Sequence, residues 1–276
     1  MKFEHFVQVG DHQIGGGGPP VILAGLCVIE SEELLRETAE ALAKACSQAG
    51  LPLVLKASFD KANRSSVNSF RGPGLEEGLA ILERVGAELS IPLTTDVHTV
   101  AQAEAVAEVV DLLQVPAFLC RQTDLLVACA ATGRPVNVKK GQFMAPWDMR
   151  HVVEKLNHAG CKQVLLTERG TSFGYNRLVV DMAGLEHMRS LGVPVCFDAT
   201  HSVQLPGAAA HGTGGDRAAA PRLARAAVAS GVDAVFFETH PSPKEALSDS
   251  ATALPLDEVP ALLRQIAAID GILREG

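Results

Sequence analysis

Eight short apolar segments, separated by amphipathic helical stretches, constrain the fold of this chain more than any other feature. They are residues 21–29, 51–59, 91–97, 112–117, 135–139, 163–167, 194–199 and 234–237. Each is apolar almost throughout rather than at every second residue, which is typical of parallel strands covered on both faces. Eight such strands alternating with helices close into a barrel. The sequence therefore predicts an α/β fold, a (β/α)8 TIM barrel.

Helix signals lie between these segments and support the alternation. The stretches 31–50 (SEELLRETAEALAKACSQAG) and 145–160 (APWDMRHVVEKLNHAG) are amphipathic, and each ends on a glycine. Thr123 precedes DLLVACAATG and is the predicted N-cap of another helix. A doubly wound open sheet is the alternative fold, but no GxGxxG motif follows the first apolar segment. We see no second domain and expect residues 1–276 to form one barrel domain.

Two segments fall outside the repeat. Residues 1–20 hold one short alternating stretch followed by a run of four glycines, which predicts a short N-terminal hairpin or arm. Residues 204–217 (QLPGAAAHGTGGDR) are too small and too rich in glycine to pack. They predict a mobile loop over one end of the barrel.

Composition excludes several classes of function. The formal net charge of −8 argues against a nucleic-acid or membrane surface, where a basic face is expected. The N-terminus lacks the pattern of a signal peptide, and no stretch reaches the roughly 20 apolar residues of a membrane span. Six cysteines at irregular spacing are typical of reduced thiols. We therefore expect a cytoplasmic protein.

Polar and ionisable side chains follow the apolar segments, at the strand ends where barrels carry their active sites. The stretch 56–66 (KASFDKANRSS) is the densest group of such side chains. The four cations Lys56, Lys61, Lys139 and Arg169 could each be a solvated charge at the rim. Together they would repel one another at one mouth unless an anion lay between them. The sequence therefore predicts a site for phosphate and carboxylate groups.

A second set of residues could hold a metal ion. Cys27, His201, Glu238 and Asp249 supply one sulfur, one nitrogen and two carboxylates, which suits Zn²⁺, Fe²⁺, Mn²⁺ or Co²⁺. His201 and Glu238 could each be satisfied locally, and Cys27 alone is more often a small core residue. Their spacing matches no local metal motif, so the residues alone leave both interpretations open.

The segment 170–174 (GTSFG) matches the G-x-S-x-G pattern of a serine hydrolase. That pattern requires a helix directly after Ser172, whereas Phe173, Gly174 and the residues that follow predict a loop. We interpret the match as false.

Seven stretches together resemble the family of 3-deoxy-D-manno-octulosonate 8-phosphate synthases. They are residues 56–66, 95–98, 114–126, 138–149, 168–182, 197–207 and 236–256. The ending ANRSS is specific, because the related heptulosonate-phosphate synthases of aromatic biosynthesis carry a Lys-Pro-Arg-Thr-Ser type of motif there. The resemblance implies a TIM barrel, usually a homotetramer. It also implies condensation of phosphoenolpyruvate with D-arabinose 5-phosphate and water, releasing phosphate, in lipopolysaccharide biosynthesis. The alternative is the heptulosonate-phosphate synthase reaction with erythrose 4-phosphate.

The resemblance also implies roles for individual residues. Phosphoenolpyruvate is held by Lys61, Lys139 and Arg169, with Lys56, Ser58 and Gln114 nearby. The pentose phosphate is held by Asn63, Arg64 and Ser65, and by Arg121 of a neighbouring subunit. The residues expected to be catalytic are Lys61, Asp96, His201 and Asp249.

The same family has a metal-dependent and a metal-independent branch, and the independent branch carries asparagine at the position of Cys27. The cysteine and the stretch 246–252 (ALSDSAT) resemble the dependent branch, whose ligands are Cys27, His201, Glu238 and Asp249. One departure is Leu26, where relatives usually have proline.

Overall fold

The structure, a computed structural model, describes residues 5–64, 66–209 and 212–275. Its strands are β1 (Phe6–Val9), β2 (His12–Gly15), β3 (Val21–Gly25), β4 (Leu53–Lys56), β5 (Leu93–Asp96), β6 (Leu112–Val115), β7 (Val136–Lys139), β8 (Val164–Glu168), β9 (Thr171–Ser172), β10 (Leu178–Val179), β11 (Val195–Asp198), β12 (Gln204–Ala209), β13 (Gly212–Gly215), β14 (Ala234–His240) and β15 (Leu254–Pro255). Its α-helices are α1 (Glu32–Ala49), α2 (Leu75–Leu89), α3 (Ala103–Val109), α4 (Thr123–Ala131), α5 (Arg150–His158), α6 (Met182–Arg189), α7 (Ala220–Ala229) and α8 (Val259–Glu275). Short 3-10 helices cover Val100–Gln102, Ala117–Leu119, Pro146–Met149, His201–Val203, Arg217–Ala219 and Leu256–Glu258.

Eight parallel strands close into a barrel. They are hydrogen-bonded in the order β11, β8, β7, β6, β5, β4, β3, β14, and β14 also pairs with β11. All eight predicted apolar segments overlap these strands, so the predicted (β/α)8 barrel is confirmed. The assignment of residues 1–276 to one domain stays a prediction. Within the described residues, no helix combines the length and the apolar character needed to cross a bilayer.

The two faces of each barrel strand have different neighbours. In β4, Leu55 packs with the core between strands and helices, whereas Val54 belongs to the smaller cluster inside the barrel. Since side chains alternate along a strand, the position after next, Lys56, points inward nearer the carboxyl end of the strand. The same step leads from Leu112 to Gln114, and in other strands to Asp198 and Glu238. The barrel is therefore apolar at one end and polar at the other.

The predicted N-terminal hairpin is present as β1 and β2, which pair antiparallel. Val7, Val9 and Ile14 are buried in the cluster inside the barrel, at its amino-terminal end. The backbone N–H of Gln8 donates to Gln163 Oε1 over 2.7 Å, at the start of a barrel strand. The hairpin thus closes the apolar end of the barrel, opposite the end that carries the polar residues.

The helix signals in the sequence are largely correct. Helix α1 begins after Ser31, whose side chain accepts a hydrogen bond from Leu34 N, and ends at Gly50, which has a φ of 68°. That left-handed conformation favours glycine. Helix α4 starts at Thr123 itself, so its N-cap is Gln122, one residue earlier than predicted. The predicted helix over residues 145–160 begins with a 3-10 turn before α5.

The predicted loop over residues 204–217 is a hairpin in its described part. Strands β12 and β13 pair antiparallel, with Gln204 opposite Gly215. A Cβ at Gly215 would collide with the Thr252 methyl group, so the missing side chain lets this end of the hairpin lie against residues 251–252. Low side-chain volume therefore permits close packing here, which the prediction of an unpacked loop missed. Residues 210 and 211 lie outside the described residues.

Candidate active site

A cavity of about 390 Å³ lies at the carboxyl ends of the barrel strands. Its walls are formed by Lys56, Lys61, Ala62, Asn63, Asp96, His98, Thr99, Gln114, Pro116, Ala117, Phe118, Leu119, Lys139, Gln142, Arg169, His201 and Glu238. All four cations predicted from the sequence are among them. A larger groove of about 590 Å³ lies between α1 and residues 256–260 and contains none of the predicted site residues.

Two of the cations are fixed from one side and face the cavity from the other. Lys139 Nζ lies 2.6 Å from Asp198 Oδ2 and 3.5 Å from the centre of the Phe236 ring. Arg169 donates from Nη2 to Gln204 Oε1 over 2.7 Å, whereas its buried Nη1 has no hydrogen-bond partner among the described residues. A buried donor without a partner is costly, so Arg169 is suited to bind an anion in the cavity.

The other two cations lie beside one carboxylate. Glu238 Oε1 is 2.6 Å from Lys56 Nζ and 3.5 Å from Lys61 Nζ. Burial alone would raise the pKa of Glu238, but the charges of Lys56 and Lys61 outweigh it and hold this pKa well below its ordinary value. Glu238 is therefore ionised, and its charge offsets part of the positive charge of the cavity.

Asp96 organises two of the predicted substrate residues. Ser58 Oγ and Gln114 Nε2 both donate to its carboxylate. Burial alone would raise the pKa of Asp96, but Lys61 and Lys56 lower it further than burial raises it, so the carboxylate stays charged. Gln114 lines the cavity, whereas Ser58 is fully buried and reaches the cavity only through Asp96. A residue close to substrate is expected on the cavity wall, and the structure does not place Ser58 there.

The four predicted metal ligands are brought together at the edge of the cavity. Cys27, Glu238 and Asp249 each offer one atom, and these atoms all lie within 4.8 Å of one another. His201 Nε2 is 3.6 Å from Glu238 Oε2 and 3.4 Å from Asp249 Oδ2. They come from distant parts of the chain, which explains why no local metal motif was visible in the sequence.

The orientation of His201 is set by Asp198. The carboxylate of Asp198 accepts from His201 Nδ1 over 2.7 Å and from the backbone N–H of the same residue over 2.9 Å. With Nδ1 held in this way, Nε2 points to the carboxylates of Glu238 and Asp249. Metal-binding histidines are commonly held by a carboxylate at the other ring nitrogen.

The chemistry of this cluster fits a divalent cation. Glu238 Oε2 is buried and has no hydrogen-bond partner among the described residues. Burial, together with the charges of Asp249 and Glu238, raises the pKa of the Cys27 thiol. Asp249 has a φ of 47°, a conformation that residues other than glycine seldom adopt. A cation would stabilise the thiolate and bind the unpartnered oxygen, so the cluster can hold a metal ion.

The predicted pentose-phosphate residues are less well gathered. Asn63 lines the cavity, but Arg64 donates to Ser248 Oγ over 2.6 Å and to Leu247 O over 3.2 Å, beside Asp249. Ser65 lies outside the described residues. The side chain of Arg121 is exposed and does not line the cavity of its own chain.

The cavity wall also contains residues that the sequence did not indicate. Gln204 connects the two halves of the site, because it accepts from Arg169 and donates from Nε2 to Asp249 Oδ2 over 3.3 Å. Gln142 and Phe118 line the cavity directly after strand ends. Their positions after β7 and β6 were a usable signal, whereas neutral side chains gave no reason to select them. Lys140, one of the cations at the strand ends, does not reach the cavity.

The serine-hydrolase pattern is rejected by the local structure. Ser172 lies in β9, which pairs with β10 and continues into a loop. No helix follows Ser172 directly, so the elbow that exposes a nucleophilic serine is not formed.

Comparison with known proteins places this site in a family. The sequence profile of the DAHP synthetase I family matches residues 4–274. The chain belongs to this family. A protein of Trichlorobacter lovleyi named 2-dehydro-3-deoxyphosphooctonate aldolase is 54% identical to this chain over 268 residues, covering 97% of this chain and 98% of the relative. A protein of the same name from a Synechococcus species is 57% identical over 263 residues, covering 95% of this chain and 93% of the relative.

A protein of the same name from Nitratidesulfovibrio vulgaris is 59% identical over 248 residues, covering 90% of this chain and 91% of the relative. That name denotes the same enzyme as 3-deoxy-D-manno-octulosonate 8-phosphate synthase. The resemblance stated from the sequence motifs is therefore confirmed, and within the family the relatives favour it over the heptulosonate-phosphate alternative.

Proposed function

We propose that this protein condenses phosphoenolpyruvate with D-arabinose 5-phosphate and water, forming 3-deoxy-D-manno-octulosonate 8-phosphate and inorganic phosphate in lipopolysaccharide biosynthesis. The observation that carries the proposal is the shared cavity. Four cations line it together with Glu238, one of the candidate metal ligands, and His201, which lies beside Glu238 and Asp249. The names of the relatives, at 53–59% identity, support the same reaction. We also place the protein in the cytoplasm, which its six free cysteines favour.

The chemistry requires two anions to be aligned. Phosphoenolpyruvate is an enol ester whose methylene carbon is nucleophilic, and the open-chain pentose offers an aldehyde. When they join, positive charge develops at the enol carbon, water adds there, and the hemiketal phosphate loses phosphate by cleavage of a C–O bond. Lys61, Lys139 and Arg169 bind the phosphate and carboxylate of phosphoenolpyruvate. They thereby supply proximity and electrostatic stabilisation.

The remaining residues orient these groups. Asp96 holds the Gln114 amide against the cavity, and Gln204 accepts from Arg169. Glu238 and Asp198 hold Lys56 and Lys139 in place through ion pairs. We assign Asn63, Arg64 and Ser65 to the pentose phosphate, and Lys61, Asp96, His201 and Asp249 to the catalytic group.

A divalent ion completes the proposal. Cys27, His201, Glu238 and Asp249 would hold Zn²⁺, Fe²⁺, Mn²⁺ or Co²⁺, as the donor set and the unpartnered Glu238 oxygen favour. Such an ion would supply a Lewis acid for the aldehyde or the water.

We further propose a homotetramer in which Arg121 enters the site of a neighbouring subunit. The exposed side chain of Arg121 and its absence from the wall of its own cavity support this role. The contacts that Arg64 makes with residues 247–248 leave the pentose phosphate few cationic partners within one chain.

A substrate comparison tests the proposed reaction. Consumption of phosphoenolpyruvate and release of inorganic phosphate are measured with arabinose 5-phosphate and, separately, with erythrose 4-phosphate. We expect rapid turnover with the pentose and little with the tetrose. Preference for erythrose 4-phosphate would establish the heptulosonate-phosphate reaction instead, and turnover with neither sugar would refute both.

A further inference from the structure

Lys140 is a fully buried lysine that the proposed reaction does not use. Its Nζ donates to Thr171 Oγ1 over 3.0 Å and to the carbonyl oxygens of Met144 (3.2 Å) and Gly141 (3.4 Å). It also lies 3.5 Å from Glu168 Oε1, and both side chains of this pair are buried. A buried ion pair seldom raises stability over apolar residues, so its presence here calls for another reason.

The position of this pair relates it to the anion cavity. Lys139 and Lys140 are consecutive, and since side chains alternate at a strand end, Lys139 lines the cavity while Lys140 points to the other side. Glu168 likewise directly precedes Arg169. The pair therefore lies behind the two cations that face the cavity, at the ends of the adjacent strands β7 and β8.

The pair also joins the two loops that follow these strands. Lys140 binds carbonyl groups of the first loop, residues 141–144, and the Thr171 hydroxyl of the second. Glu168 accepts from the backbone N–H of Gly170 over 2.6 Å. The cavity residue Gln142 lies in the first loop, and its carbonyl accepts from Ser172 N over 2.9 Å. A lysine supplies three donors, enough to fix both loops at once.

We propose that Lys140 is a positioning residue for binding phosphoenolpyruvate. Through Glu168 and the two loops it fixes the ends of β7 and β8, so that Lys139, Arg169 and Gln142 converge on one anion. This inference rests on the proposed function, since it assigns the converging groups to that substrate. Burial lowers the pKa of Lys140 and raises that of Glu168, so each depends on the other to stay charged.

The test compares Lys140→Met with the unaltered protein in steady-state kinetics and by calorimetric titration with phosphoenolpyruvate. We expect the KM and the Kd for phosphoenolpyruvate to rise about tenfold or more, because the variant loses the hydrogen bonds that hold the two loops of the binding site. The KM for arabinose 5-phosphate is expected to change less than about threefold. Lys44→Met removes an exposed lysine and is the matched control, with no expected change in either KM.

The double variant Lys140→Met/Glu168→Gln separates positioning from stability. It leaves no unpaired buried charge, so we expect Tm to recover while the KM for phosphoenolpyruvate stays high. If KM recovers together with Tm, or if Lys140→Met binds phosphoenolpyruvate like the unaltered protein, the inference is wrong.

Should Lys140→Met fail to fold, Thr171→Val carries the test, because it removes only the hydroxyl that accepts from Lys140. We expect it to raise the same KM about two- to fivefold, and an unchanged KM would overturn the inference. Failure of the proposed function is distinct, because it would appear as no turnover in the unaltered protein.

Discussion

At the scale of single residues, the site holds unsatisfied groups of opposite chemistry. Among the described residues, the buried donor Arg169 Nη1 has no acceptor and the buried acceptor Glu238 Oε2 has no donor. Gln204 lies between Arg169 and Asp249, so these demands occur in one connected network. An anion would satisfy the first and a cation the second. The residues are thus suited to bind an anion beside a cation.

Cys27 provides a direct test of metal dependence. We expect a chelator to abolish activity and Mn²⁺ or a similar ion to restore it. Cys27→Asn should lose affinity for the ion, since the thiolate ligand is gone, yet retain some turnover, because an asparagine can orient water without a metal. The measurements are bound metal by mass spectrometry and activity before and after chelation. Full activity of the metal-free unaltered protein would contradict the assignment.

Asp96 predicts how stability depends on pH. Its folded pKa lies below the ordinary value of 3.8, because Lys61, Lys56 and the hydrogen bond from Ser58 outweigh the effect of burial. A lowered folded pKa stabilises the protein above the unfolded value, and this contribution is lost as the pH falls below it. We expect Asp96→Asn to lower the free energy of unfolding by about 2 kcal/mol at pH 7.

The difference between Asp96→Asn and the unaltered protein should shrink below about pH 4. Urea unfolding at pH 7 and at lower pH measures it, with the exposed Asp11→Asn in the β1–β2 turn as the control. A difference that is constant with pH would show that the Asp96 charge does not act in this way.

At the scale of elements, the barrel divides its tasks between its ends. The β1–β2 hairpin fills the amino-terminal end with apolar side chains, which leaves the carboxyl ends of the strands free to carry charge. At Gly25 the first barrel strand approaches β4 so closely that a Cβ at this position would collide with the Lys56 carbonyl oxygen. This close approach brings the Lys56 ammonium within 3.0 Å of the Cys27 carbonyl oxygen.

The hairpin should therefore matter for stability and little for chemistry. Ile14 is completely buried, and Ile14→Ala should lower the free energy of unfolding by about 2–5 kcal/mol. Gln13→Ala on the exposed side of the same strand is the control. Urea unfolding measures the stability of both variants. The KM values, taken at a temperature where both variants are folded, show whether the active site has changed. A rise in KM without loss of stability would show that the hairpin acts on the site instead.

At the scale of the whole molecule, the sequence predicted the barrel because eight apolar segments recur with helices between them. It also predicted that Lys56, Lys61, Lys139 and Arg169 gather at the mouth, since strand ends in a barrel share one face. It could not show which side of the strand each polar residue takes, so Ser58 appeared equivalent to Gln114. Nor could it predict β9, β10 and β15, because two-residue strands leave no periodic signal.

The proposed oligomer predicts complementation between subunits. Lys61→Ala and Arg121→Ala should each be nearly inactive alone. When both chains are co-expressed with different tags and mixed tetramers are purified, about a quarter of the sites should contain both intact residues and recover activity. Co-expression of Lys61→Ala with Lys139→Ala is the matched control and should recover nothing, because both residues serve the site of their own chain. Equal recovery in both pairs, or in neither, would contradict the role of Arg121.

The central claim is that the candidate metal ligands, which include the Cys27 thiolate, and the anion-binding cations form one site. The absorption spectrum of the protein loaded with Co²⁺ tests it most directly, because a cobalt–thiolate bond gives a charge-transfer band. We predict a band that is present in the unaltered protein and in Cys46→Ser, absent in Cys27→Ser, and altered when phosphoenolpyruvate is added. A band that survives in Cys27→Ser, or one that phosphoenolpyruvate leaves unchanged at saturation, would contradict the account.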